Sequence, residues 1–108
     1  MYEINITETA QADLHNAALY IANNLNNKAA AIRLLDTAEE EISSLADFPE
    51  RNPLVRDALL VANGIRVQAI KKYLAFYVVR NETNSVTILR IIHSRRDWIS
   101  ILKDDINE

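Results

Sequence analysis

Residues 86–98 have the sequence VTILRIIHSRRDW, and this stretch decides the fold. Its first half is rich in Val, Ile and Leu, which suits a pleated sheet, and it predicts a strand from Val86 to His93. Its second half predicts a helix from about Arg95 to Lys103, because Ser94 and Asp97 have the spacing of a capping box.

The same spacing predicts a contact between two rings. If Ser94 caps the helix, His93 lies just before the cap and Trp98 lies four positions inside the helix. Side chains at those two positions commonly pack against each other. The spacing therefore allows His93 to pack on Trp98, with a His93 that faces solvent as the alternative.

Two further strands precede this stretch. They are predicted at Ile65–Ile70 and Tyr73–Arg80, after Gly64, the single glycine of the chain. Residues 71–72 can form a tight turn between them, and residues 81–85 form the turn that leads to the last strand. The C-terminal half therefore predicts three consecutive strands and a closing helix.

The N-terminal half predicts a strand and two helices. The strand covers Tyr2–Ile6, where apolar and polar residues alternate, and Thr7 or Thr9 can cap the helix that follows. One apolar stripe extends to Leu25, and a second runs from near Asn27 to about Ala46, so the two helices should form an antiparallel hairpin. Residues 48–53, FPERNP, form a connection, and residues 54–63 remain ambiguous, with room for a short extended piece.

Length and composition fit one domain spanning residues 1–108, of which 49% are apolar. There is no cysteine, so disulfides and thiol chemistry are excluded. No apolar run approaches the ~18 residues of a membrane-spanning helix, and no membrane association is predicted. The first ten residues carry two acids and no basic residue, unlike a secretory signal, so a cytoplasmic location is expected.

Charge divides the chain into two halves. Residues 1–63 contain 4 Lys and Arg against 10 Asp and Glu, a net charge of −6, whereas residues 64–108 contain 8 against 5, a net charge of +3. A basic C-terminal half suggests that anionic partners meet that region. The alternative is a sheet whose basic edges are solvated and so resist edge-to-edge pairing. Both interpretations remain open at this point.

Several kinds of site are disfavoured. A single glycine leaves no glycine-rich phosphate loop, and neither His15 nor His93 has a second metal ligand at helical or turn spacing. The acids at 39–41 are consecutive on a helix, so their side chains diverge and do not converge on one ion. The sequence predicts neither a metal nor a cofactor.

The cluster at residues 93–98 carries the remaining chemistry. Arg95 and Arg96, beside a helix N-terminus, can hold phosphate through charge and donor geometry, and His93 can move a proton near neutral pH. The structural alternative is that one arginine pairs with a carboxylate; for Asp97 and Trp98 we favour structural roles in capping and core packing.

Three segments, GIR (64–66), KYLAFYVV (72–79) and VTILRIIHSRRDW (86–98), resemble the plasmid-stabilisation toxins of the RelE/ParE superfamily. The AQADL of residues 10–14 and the FPERNP of residues 48–53 agree with this resemblance. It implies an α+β fold with an N-terminal strand, a helical hairpin packed on a mostly antiparallel sheet, and a short C-terminal helix. It also implies a type II toxin–antitoxin system, in which a cognate antitoxin wraps the toxin in a hetero-oligomer.

Two activities occur in this superfamily. RelE-type members cut messenger RNA on the ribosome, and ParE-type members poison DNA gyrase by binding. If this chain is RelE-like, its catalytic residues are Arg66, His93, Arg95 and Arg96. However, RelE-type toxins usually carry a basic residue three positions before the tyrosine that matches Tyr77, and here that position holds Leu74. Gln68 stands near a RelE-type lysine, and no clear match exists for a C-terminal catalytic tyrosine.

These departures favour a ParE-like toxin that binds an essential target such as DNA gyrase and is not itself an enzyme. The alternatives are a ribosome-dependent ribonuclease and a degenerate, non-toxic binding module. The resemblance suggests a set of target-binding residues: Arg66, Tyr77, Arg90, Arg95, Arg96 and Trp98.

Overall fold

The computed structural model describes residues 1–107 and contains one four-stranded sheet with helices on both faces. The strands are β1 (Glu3–Ile6), β2 (Arg66–Ile70), β3 (Tyr73–Arg80) and β4 (Ser85–His93). The helices are α1 (Glu8–Leu19), α2 (Lys28–Ser44), α3 (Ala58–Ala62) and α4 (Trp98–Ile106), and a π-helical turn at Tyr20–Asn24 extends α1. The expected α+β architecture is confirmed.

The sheet has the strand order β1-β4-β3-β2. The strands β2, β3 and β4 are antiparallel neighbours, and β1 pairs in parallel with β4. The parallel pair requires a long crossover, and the α1–α2 hairpin forms part of that connection.

Each face of the sheet contributes to its own core. On one face the α1–α2 hairpin covers Tyr77, Ile88 and Ile91, among others. On the other face α3 and α4 contribute Leu60 and Leu102, which pack in one cluster with sheet residues that include Phe76. Because both faces of the sheet are covered, most residues in the middle of β3 are buried. In a strand with one face in solvent, buried and exposed residues would alternate.

The ambiguous segment at residues 54–63 contains both an extended contact and a helix. Leu54 makes a single antiparallel bridge with Arg66, which agrees with the short extended piece allowed by the sequence. Asp57 caps the five-residue helix α3 by accepting hydrogen bonds from the backbone N–H groups of Leu59 and Leu60, at 3.1 and 3.3 Å. A helix this short has too little periodicity to be detected in the sequence.

A β-bulge in β4 changes which residues face each core. Phe76 of β3 pairs with Arg90, while the next residue, Tyr77, pairs with Ile88, so Leu89 is the extra residue. Before the bulge the even-numbered Val86 and Ile88 face the hairpin, and after it Ile91 does. The bulge therefore turns the odd-numbered residues that follow it in β4 toward the hairpin side of the sheet.

Side chains from the start of α1 bind β4 at this bulge. The Thr7 hydroxyl donates to the Leu89 carbonyl at 3.0 Å. The Asp13 carboxylate accepts from Arg90 at 2.8 Å (Nε) and 3.1 Å (Nη2), and from the Ile91 backbone N–H at 3.0 Å. Since β1 pairs with β4 only as far as Ile88, Asp13 supplies the acceptor that a longer β1 would provide.

The contribution of Asp13 to stability can be compared with that of Asp105, a second acid that binds Arg90. The side chains of Asp13 and Arg90 are only 16% and 17% exposed, whereas that of Asp105, 3.0 Å from Arg90, is 43% exposed. We expect Asp13→Ala to lower the free energy of unfolding by about 3 kcal/mol, because it removes the more buried carboxylate partner of Arg90 and leaves the Ile91 N–H without its acceptor. Asp105→Ala should cost no more than about 1 kcal/mol. Urea denaturation of both variants checks this, and equal losses would contradict the role given to Asp13.

Candidate functional site

The four residues predicted for catalysis lie at two different places on the sheet. His93 is opposite Tyr73 at the end of β4, whereas Arg66 is opposite Tyr77 at the start of β2. Four residues along β3 separate these two positions, or about 13 Å. Arg95 and Arg96 follow His93, so only three of the four predicted residues lie in one place.

Arg66 is held by the connection between the helices and the sheet. Its guanidinium is 3.3 Å from the Glu50 carboxylate and also donates to the Asn52 carbonyl. Its side chain is mostly buried. The charge of Arg66 is therefore already partnered within the chain.

Tyr77 is fully buried, so a direct contact with a target is not open to it in this conformation. Its hydroxyl donates to the Pro49 carbonyl at 2.7 Å and accepts from the Asn52 side-chain amide at 3.1 Å. Burial raises the pKa of the Tyr77 phenol above its usual range. That Tyr77 binds a target stays a prediction; in this structure its hydroxyl holds the 48–53 connection against the sheet.

Arg90 is likewise engaged within the chain. Its hydrogen bonds to Asp13, with those to Asp105 adding to them, raise the pKa of the guanidinium further above its already high value. A target could reach Arg90 only by replacing these carboxylates. Its role in binding a target stays a prediction, and the contacts seen here are structural.

His93 packs on Tyr73 and uses one of its ring nitrogens internally. The two rings meet edge to face with centroids 5.1 Å apart. The Nδ1 atom of His93 accepts the backbone N–H of Arg95 at 3.1 Å. A neutral imidazole with an acceptor at Nδ1 carries its proton on Nε2, so neither nitrogen has a free lone pair while this bond persists.

Arg95 and Arg96 lie exposed in the turn between β4 and α4. The turn is fixed by hydrogen bonds from Ser94 N–H to the Lys72 carbonyl at 2.9 Å and from Arg96 N–H to the His93 carbonyl at 3.0 Å. Within residues 1–107 neither arginine forms an ion pair. The structural alternative, in which an arginine pairs with a carboxylate, is therefore not found among these residues.

The turn between β2 and β3 brings two more cations to the same end of the sheet. Lys71 and Lys72 are exposed, and the Ser94–Lys72 hydrogen bond places them beside Arg95 and Arg96. These four residues are called the cationic corner below. The sequence indicated the lysines only as a turn, because the pairing of the two turns depends on the register of β3 and β4.

The helix after the cationic corner begins later than predicted, at Trp98. Asp97 is its N-cap and accepts from Ser100 through both the backbone N–H (3.3 Å) and the hydroxyl (2.8 Å). The side-chain hydrogen bond from Ser100 is the main reason why the pKa of Asp97 is lowered. The predicted cap at Ser94 is wrong, because the residues after Ser94 form a turn, with the Arg96 N–H bound to the His93 carbonyl, and the helix starts only after Asp97.

The predicted contact between His93 and Trp98 is also wrong. Trp98 packs on Phe76 with ring centroids 5.1 Å apart, on the face of the sheet covered by α3 and α4. His93 packs on Tyr73, whose side chain belongs to the core under the hairpin. Trp98 is half-buried in its cluster, so it belongs to the core rather than to the cationic corner.

No group of three or more His, Cys, Asp or Glu that could hold a metal ion occurs in the described part of the chain. Among residues 1–107, no helix has both the length and the apolar character needed to cross a membrane.

An ion pair between α3 and α4 gives the fold a testable pH dependence. Lys103 lies 3.0 Å from Asp57, and its hydrogen bond is the main reason why the pKa of Asp57 is lowered from the ordinary 3.8. Because the pKa of Asp57 is lower in the folded than in the unfolded protein, the ionised carboxylate stabilises the fold at pH values above the unfolded-state pKa. This stabilisation is lost as the pH falls through the folded-state pKa.

We therefore expect Asp57→Asn to lower the melting temperature at pH 7. The difference from the wild-type protein should shrink as the pH falls below about 3.8. Asp104→Asn, at an exposed acid on the same helix α4, is the matched control and should have the smaller effect. A difference that stays constant down to pH 2 would contradict the ion pair.

Comparisons with known proteins agree with this fold. The sequence model for the ParE toxin of the type II toxin-antitoxin system parDE matches residues 4–98. The toxin–antitoxin complex RelBE2 from Mycobacterium tuberculosis is similar to the chain, with 26% identity and a TM-score of 0.64 over 85% of this chain and 96% of that one. None of the curated proteins matches the sequence.

Two more distant structures share the fold. A chain of the chromosomal ParDE system from P. aeruginosa has 19% identity and a TM-score of 0.69, over 86% of this chain and 96% of that one. The isolated E. coli RelE toxin has 14% identity and a TM-score of 0.59, over 98% of this chain and 99% of that one.

Proposed function

The chain belongs to the ParE toxin family of type II toxin–antitoxin systems, and from this premise we propose that it stops growth by binding an essential protein, with DNA gyrase as the first candidate. In this proposal the chain breaks no bond of its own. A cognate antitoxin binds it and prevents the contact with the target. The complexes among its structural neighbours support an antitoxin as partner.

The hydrogen bond between Arg95 N–H and His93 Nδ1 is the observation that carries this proposal. Cleavage of RNA by its own 2′-hydroxyl needs a base to take the proton of that hydroxyl. While this hydrogen bond persists, Nδ1 is occupied as an acceptor and a neutral ring carries its proton on Nε2, so His93 has no free lone pair with which to take the proton of the 2′-hydroxyl. A ribonuclease would first have to break this bond and turn the ring away from Tyr73.

The positions of the cations support the same conclusion. A charged transition state at phosphorus needs positive groups aimed at one point. Arg66 is about 13 Å along the sheet from His93 and is paired with Glu50, so it does not join Arg95 and Arg96. Leu74 stands where RelE-type toxins usually have a basic residue.

The cationic corner is suited to binding. Arg95 and Arg96 are exposed, lie in a turn fixed by backbone hydrogen bonds and form no ion pair within residues 1–107. Arginines presented in this way can form bidentate contacts with carboxylates on a protein surface. We assign the contact with the target to Arg95 and Arg96.

The proposal predicts how cells respond to the lone gene. Induction without the antitoxin should stop growth and alter plasmid supercoiling while messenger RNA stays intact. In a supercoiling assay with purified gyrase, the double variant Arg95→Ala/Arg96→Ala should need at least about tenfold more protein for half-inhibition, since the loss of one charge-assisted contact already weakens binding by that factor.

The matched control is Arg56→Ala/Arg80→Ala, which removes two exposed arginines outside the cationic corner. It should inhibit like the wild-type protein. Messages cut within translated regions, with cleavage lost in His93→Ala, would overturn the proposal in favour of a RelE-like ribonuclease. Normal growth on induction would instead indicate a binding module that has lost toxicity.

A further inference from the structure

An apolar cavity opens beside the cationic corner, between the tip of the α1–α2 hairpin and the β2–β3 turn. Its volume is about 460 Å³. Ile21, Leu25, Leu34 and Tyr73 contribute apolar surface, and a second set of lining residues is basic or can become so: Arg33, Lys71, Lys72 and His93. Among the described residues that line the cavity, none is acidic.

Irregular backbone on both sides shapes this cavity. On the hairpin side the π-helical turn has hydrogen bonds from Leu25 N–H to the Tyr20 carbonyl (3.2 Å) and from Asn27 N–H to the Ile21 carbonyl (3.1 Å). This turn leaves Tyr20 and Leu25 exposed, at 53% and 57%. On the sheet side Lys71 has a φ of +57°, a conformation that favours glycine or asparagine. Such irregularities concentrate where a protein binds something.

The chemistry of the cavity fits a peptide better than a nucleic acid. Aliphatic residues outnumber aromatic ones in the lining, and the Tyr73 ring is already engaged edge to face with His93, so among the described lining residues Tyr20, which is 53% exposed, is the one ring left for stacking. Single-stranded nucleic acids need free aromatic faces on which bases stack. An aliphatic floor with a cationic rim suits one large apolar side chain flanked by carboxylates.

The cavity continues into the residues assigned to the target. Lys72 lines it, and the Lys72 carbonyl accepts the N–H of Ser94, which immediately precedes Arg95 and Arg96. A short extended segment anchored in the cavity can therefore reach both arginines. A segment bound in the cavity can thus also cover the two arginines that are proposed to contact the target.

We propose that an acidic segment of the antitoxin inserts one large apolar side chain into this cavity and lays its carboxylates over Lys72, Arg95 and Arg96. The antitoxin then neutralises the toxin by covering the residues that contact the target. This inference rests on the proposed function, because it requires that Arg95 and Arg96 meet the target. Charge complementarity supports an acidic occupant although the chain as a whole has a net charge of −3.

The test uses the full chain and three probes. The first is a short synthetic peptide with one leucine flanked on both sides by glutamates, the second has serine in place of that leucine, and the third is a single-stranded oligonucleotide. Titration calorimetry should show binding of the first peptide, at least about tenfold weaker binding of the second, and weaker binding still of the oligonucleotide. NMR shifts on titration should centre on residues that line the cavity.

Two variants and matched controls locate the site. Leu25→Asp and Lys72→Glu should each weaken the first peptide at least about tenfold, and both side chains are exposed, so the fold should tolerate the changes. The controls are Ile32→Asp, at a residue 58% exposed on α2, and Arg56→Glu, and neither side chain lines the cavity. Melting temperatures confirm that all four variants fold.

Equal binding of the leucine and serine peptides, or equal binding by Leu25→Asp and Ile32→Asp, would overturn the inference. Tighter binding of the oligonucleotide would point to a nucleic-acid site, and self-association of the free chain that buries the cavity would point to a second copy as occupant; either would also overturn it. The growth assay with the wild-type gene involves none of these probes, so failure of the proposed function is recognised separately.

Discussion

The contact between Asp13 and the bulge of β4 determines how the two halves of this chain fit together. Asp13 binds the Arg90 guanidinium through both oxygens and accepts the Ile91 N–H beyond the point where β1 stops. Thr7 fixes the extra residue, Leu89, through its carbonyl. After the bulge the residues of β4 point to the opposite faces from those of an unbroken strand. The contact of Asp13 at the bulge therefore positions both the helical hairpin and the turn between β4 and α4.

The chemistry available at the end of β4 follows from this change of faces. In an unbroken strand His93 would point to the face that holds Phe76 and Trp98; with the bulge it lies on the hairpin face, against Tyr73. There it accepts the Arg95 N–H and orders the turn that exposes the arginines. The histidine then positions a binding surface, and this is the physical reason for preferring a toxin that binds over one that cuts.

The sequence predicts the regular strands and helices well, and it predicts the bulge, the helix cap and the path of the connection poorly. Alternation and helical stripes place β3 at Tyr73–Arg80 as observed, and the hairpin helices within a few residues. The bulge at Leu89 leaves no pattern in one sequence, so the predicted pairing of His93 with Trp98 failed. The cap at Ser94 failed because the bonds from Ser94 N–H to Lys72 and from Arg96 N–H to His93 hold these residues in a turn, so the helix starts after Asp97. The burial of Tyr77 depends on the 48–53 connection, whose path depends on side-chain contacts that periodicity does not encode.

The charge distribution supports the proposal that one small surface meets both the target and the antitoxin. The chain is acidic as a whole, yet Lys71, Lys72, Arg95 and Arg96 meet at one end of the sheet, where they can attract both a target and an acidic inhibitor. The protonation state of His93 tests this account most directly. Nitrogen-15 NMR of the neutral form of the imidazole should show its proton on Nε2 and a hydrogen-bonded Nδ1 without a proton. A proton on Nδ1, with Nε2 free to act as a base, would contradict it.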